Sequence, residues 1–65
     1  MYEKDGLRLE ISPKWLDNEC VVKNLDTGEV TICRMYESEA DVFIRYPIGN
    51  HKYIHISLDE VEWEG

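Results

Sequence analysis

A chain of 65 residues is one domain, spanning 1–65. At this size folding buries only about 60% of the unfolded surface, which leaves little room for a substrate pocket of several hundred Å³. Fourteen acidic against seven basic residues give a formal net charge of −7, which argues against phosphate neutralisation by clustered Lys and Arg.

The opening Met1–Asp5 is polar, and residues 1–6 read as a short frayed or turn segment ending at Gly6. Leu7-Arg8-Leu9-Glu10-Ile11 alternates apolar and polar residues, as in a half-buried strand with Leu7, Leu9 and Ile11 inward. Ser12-Pro13 is expected to stop that strand, because proline has no amide for the ladder. Lys14–Asn18 reads as a loop or one helical turn, with Trp15 anchoring it on the core. Glu19–Tyr36 is a hairpin around Asp26-Thr27-Gly28, with Gly28 in the left-handed position of a three-residue loop. That loop pairs Val22 with Ile32. It places Cys20, Val22, Val30 and Ile32 on one face, and Val21, Lys23, Thr31 and Cys33 on the other. Glu37–Asp41 is an acidic connection.

Val42–Leu58 organises the chain. Two runs rich in β-branched and aromatic residues flank Pro47-Ile48-Gly49-Asn50, the pattern of a second hairpin. A Gly49-Asn50 loop would mix apolar and polar residues on each face. A three-residue loop, Ile48-Gly49-Asn50 with Asn50 left-handed, pairs Ile44 with Ile54, Val42 with Ile56, Phe43 with His55 and Arg45 with Tyr53. It yields one aliphatic face, Val42, Ile44, Ile54 and Ile56, opposite Phe43, Arg45, Tyr53 and His55. Ser57 then caps a single helical turn, with Glu60 three residues on. Val61 and Trp63 alternate with Glu60, Glu62 and Glu64 as a short, charged edge strand.

Five or six short strands with closely spaced turn signals predict an all-β fold, a small antiparallel barrel or rolled sheet. The order of strand, loop, two hairpins, helical turn and last strand resembles that of an SH3-like barrel. The resemblance is one of architecture and transfers no functional residues. An OB-like barrel is the alternative, although it needs more residues and a longer helix.

Phe43, Arg45, Tyr53 and His55 are the leading candidate site, because an outward patch of rings and a guanidinium on a small protein marks a contact surface. Glu37, Glu39 and Asp41 are spaced by two. Extended, they would project about 6–7 Å apart on one side, near the phosphate spacing of a nucleic-acid strand. A decoy for a basic groove is therefore an alternative. Cys20, Cys33, His51 and His55 hold the atom types of a zinc site, but their spacing is poor and the registers above point the cysteines apart. No metal, cofactor or catalytic residue is therefore expected, and a zinc module is a third reading. The expected function is a non-enzymatic interaction or regulatory module, an inhibitor or adaptor of the kind encoded by phages and mobile elements. Its expected partner is another protein, one with a basic surface or a second copy, and neither nucleic acid nor a membrane. Two cysteines are too few for a disulfide scaffold, and no apolar run nears the ~20 residues of a membrane helix. With no signal-peptide pattern at the start, the expected location is the cytoplasm.

Overall fold

The described residues form six strands, most of them alternating apolar and polar: β1 (Tyr2–Lys4), β2 (Leu7–Lys14), β3 (Glu19–Asn24), β4 (Val30–Glu37), β5 (Val42–Gly49) and β6 (Lys52–Ser57). The structure, a computed structural model, describes residues 1–63. Each strand pairs antiparallel with the next, giving one meander in the order β1-β2-β3-β4-β5-β6. The sheet curls into a half-barrel, and the only helical turns among the described residues are 3₁₀ turns at Trp15–Asp17 and Leu58–Glu60. The expected all-β antiparallel class is therefore present.

One side of the curled sheet carries the core. Leu9, Cys20, Val22, Ile44 and Ile56 are sealed from solvent, joined by Tyr2, Ile11, Cys33, Met35, Tyr46, Leu58 and Val61. Val42 and Ile54 pack half-buried against it. The predicted inward set of the second hairpin is thus inside, and Tyr46 joins it on the same alternation.

The registers differ from expectation, each for its own reason. In β3–β4, Cys20 stands opposite Cys33, Val21 opposite Ile32 and Val22 opposite Thr31. The loop is Leu25–Gly28, one residue longer than expected, because Asn24 closes it. The Asn24 side-chain oxygen accepts from the N–H groups of Asp26 (2.9 Å) and Thr27 (3.2 Å), and the Asn24 N–H donates to the Glu29 carbonyl (2.8 Å). Gly28 does take the left-handed position, at φ 77°. One added residue shifts the pairing by one and changes which side chains share a face. Cys20 and Cys33 therefore lie together in the core, while Val30 and Ile32 point outward.

In β5–β6 the shift is two. Ile44 faces Ile56, Arg45 faces His55 and Pro47 faces Tyr53, with an irregularity between Pro47 and Gly49. The turn is at Asn50-His51, and His51 rather than Asn50 has the left-handed backbone, at φ 58°. An even shift preserves the faces, so the inside and outside sets survive while the predicted pairs do not.

Four further corrections concern the connections. Residues 1–6 form a strand and a turn, with Asp5 and Gly6 both at positive φ between Lys4 and Leu7. β2 runs through Pro13 to Lys14; β1 pairs only with Leu7–Leu9, so at Pro13 β2 has an open edge, where proline is tolerated. Trp15 does not anchor the core and is 65% exposed. Val61–Trp63 is not a strand, although Glu62 and Met1 pair through their backbones. Glu64 lies outside the described residues. The Ser57 cap is present, its hydroxyl oxygen accepting from the Asp59 N–H at 3.3 Å.

β1 and β6 are the two edges of the meander. Between them runs a groove of about 520 Å³ whose apolar lining is Tyr2, Leu7, Ile48 and Ile54. The half-barrel is therefore open along this seam.

Candidate functional site

The outer surface of β4, β5 and β6 gathers the residues with recognition chemistry. Alternation along β5 turns Ile44 and Tyr46 into the core and leaves Phe43 and Arg45 on the other side. Alternation along β6 does the same with Ile54 and Ile56 against Tyr53 and His55. β4 adds Ile32, Arg34 and Tyr36, all exposed, between the buried Cys33 and Met35.

These side chains form one layer. Tyr36 faces Phe43 across β4–β5, with ring centroids 5.6 Å apart and planes 23° from parallel. Phe43 stacks in turn on the His55 imidazole, with centroids 4.1 Å apart and an 18° angle. The Arg45 guanidinium lies over the Tyr36 ring, 4.9 Å from its centroid. Tyr53 stands free of the stack and is 60% exposed. Phe43 itself is half-buried, shielded by its two stacking neighbours.

One end of the stack is pinned by the acidic connection. His55 Nε2 lies 3.3 Å from Asp41 Oδ2. The Ser38 hydroxyl donates to Asp41 Oδ1 at 2.9 Å, and the Ser38 N–H donates to the Asp41 carbonyl at 2.8 Å. The bond from Ser38, with help from Ser57 and His55, holds the Asp41 carboxyl below the usual carboxylate range. This turn is also why Glu37, Glu39 and Asp41 do not extend as a regularly spaced row. Glu37 ends β4, Glu39 sits on the turn, and Asp41 faces His55. The extended backbone that spacing presumed is replaced by a turn over Ser38–Asp41.

Sequence reasoning placed Phe43, Arg45, Tyr53 and His55 together, and the structure brings them together. It missed Tyr36 and Arg34. Their signal was the alternation Ile32-Cys33-Arg34-Met35-Tyr36, which the one-residue register error had turned inside out.

The sheet separates the thiols from the imidazoles. Cys20 and Cys33 are free and buried, whereas His55 is on the outer face and His51 is exposed in the turn. Burial and the neighbouring Cys33 push the Cys20 thiol up to about 11, and burial raises that of Cys33. An activated cysteine needs the opposite shift and an adjacent base. Among the described residues no three His, Cys, Asp or Glu side chains converge as metal ligands, and no helix is long and apolar enough to cross a membrane. No protein-family model, curated protein or solved structure matches this chain, so the site is read from its own geometry.

Proposed function

We propose that this chain is a non-enzymatic interaction module, an inhibitor or adaptor that docks another protein on the outer face of β4–β6. The observation that carries the reading is the exposed layer itself. Tyr36, Phe43 and His55 are stacked, Arg45 lies on that stack, and Tyr53 and Ile32 stand exposed beside it. Tyr and Arg dominate binding energy at protein interfaces. A prestacked layer also loses little side-chain freedom on docking. The opposite face of the sheet carries the protein's own core.

The test is capture of the partner from the source cell by tagged chains, with Tyr53→Ala and Arg45→Ala beside the unaltered protein. Both substitutions should abolish capture and leave the thermal midpoint nearly unchanged, because both side chains are exposed. Glu29→Ala, between the Leu25–Gly28 loop and β4, should capture normally. Retention of the partner by Tyr53→Ala and Arg45→Ala together would remove the reading.

A further inference from the structure

We propose that the partner presents an acidic segment to this face and that its carboxylates are received by Arg34 and Arg45. The inference rests on the docking reading above and adds the charge of what docks.

The chain has twice as many acids as bases, so a surface arginine has ample chance of a carboxylate neighbour. Arg8 has two, Glu3 at 4.0 Å and Asp26 at 3.5 Å. Among the described residues Arg34 and Arg45 have none, and neither side chain donates a hydrogen bond to the protein. Glu19 stands opposite Arg34 in the β3–β4 register without pairing to it. Asp41, which touches the ring stack at His55, is engaged by Ser38 and His55. Arg34 and Arg45 both line one depression of about 300 Å³, together with Ile32, Tyr36, Pro47 and Tyr53, and among the described residues no acidic one lines it.

The chemistry of that depression is specific. A guanidinium carries a planar fork of N–H donors that matches a carboxylate with two parallel hydrogen bonds. Arg45 is held over Tyr36 at 4.9 Å, which restrains the guanidinium and leaves donors available. Ile32, Pro47 and Tyr53 supply an apolar floor, which suits a segment where acidic residues alternate with apolar or aromatic ones. A basic segment would meet two uncompensated positive charges here. The −7 of the whole chain repels an acidic partner at long range, yet that field is screened beyond about 10 Å at 0.1 M salt, where contact with the arginines is short-ranged.

The probe is a labelled decapeptide of alternating Glu and Tyr, with the matching Lys and Tyr decapeptide and a ten-nucleotide thymidine strand as comparisons. Amide shifts of the ¹⁵N-labelled full chain report where each binds. The acidic peptide should move Ile32, Arg34, Arg45 and Tyr53. Arg34→Gln with Arg45→Gln should weaken it roughly ten- to hundredfold at an unchanged melting point, and Arg45→Lys should retain only part of the affinity. Four outcomes overturn the proposal: no shifts from the acidic peptide, tighter binding of the basic peptide or of the thymidine strand to these amides, unweakened binding by the double variant, or a dimer of the 7.7 kDa chain that the double variant dissociates. If Tyr53→Ala and Arg45→Ala lose the captured cellular partner while the acidic peptide moves none of these amides, the docking reading stands and the acidic segment falls.

Discussion

Asp41 joins the acidic connection to the recognition layer through a single side chain. Its carboxylate accepts from Ser38 and faces His55, and its pKa is lowered by those contacts. A carboxyl lowered in the folded state stabilises the fold at pH values above its unfolded pKa, and that contribution is lost as pH falls through the lower folded value. Asp41→Asn should therefore melt earlier than the unaltered chain at pH 7, and the difference should shrink on acidification below about pH 4, near the ordinary carboxylate value. Thermal melts across that range check it; a difference that stays constant with pH would mean the carboxylate charge is irrelevant. The same substitution loosens His55, so the His55 ring resonances should broaden or shift with it.

Turns decided how much of each hairpin could be read in advance. Asp5-Gly6 between Lys4 and Leu7 is a strong short-range hairpin signal; a turn ending at Gly6 was legible, but the strand before it was not, because Tyr2–Lys4 is too short to show alternation. Gly28 was legible, because only a residue tolerant of positive φ fits a left-handed loop end. The length of its loop was not, since it depends on Asn24 folding its side chain back over Asp26 and Thr27. That one side chain exchanged the faces of Cys33 and Ile32 and hid Arg34 and Tyr36 from view. In β5–β6 the error was an even number of residues, so Phe43, Arg45, Tyr53 and His55 were still placed together. Gly28 is at φ 77°, and a Cβ added there would meet only open space. Gly28→Ala should thus cost about 1–2 kcal/mol from backbone strain alone, read from denaturant unfolding, with no change in the pattern of buried side chains.

For the whole molecule, periodicity and turn spacing were enough to give the all-β antiparallel class, because most strands have one apolar side and connect to a neighbour by a short turn; the sequential strand order came from the structure. Trp15 and the chain ends were less legible. A large apolar ring in a loop reads as an anchor on the core, but here the 3₁₀ turn at Trp15–Asp17 carries Trp15 outward. With so small a core, single contacts weigh heavily. Ile44 is fully enclosed, and Ile44→Ala should cost about 2–5 kcal/mol. That is comparable to the whole stability of a marginal domain, so circular dichroism should show a largely unfolded chain at 37 °C, in contrast to the exposed Tyr53→Ala. The gap between Tyr2 and Ile54 has its own result. Along the free side of Lys52–Ser57, every second peptide N–H lacks a neighbouring strand to receive it. Deuterium should enter that ribbon in an alternating, residue-by-residue rhythm, quick on the flank and slow toward Ile44, even while the protein stays fully folded.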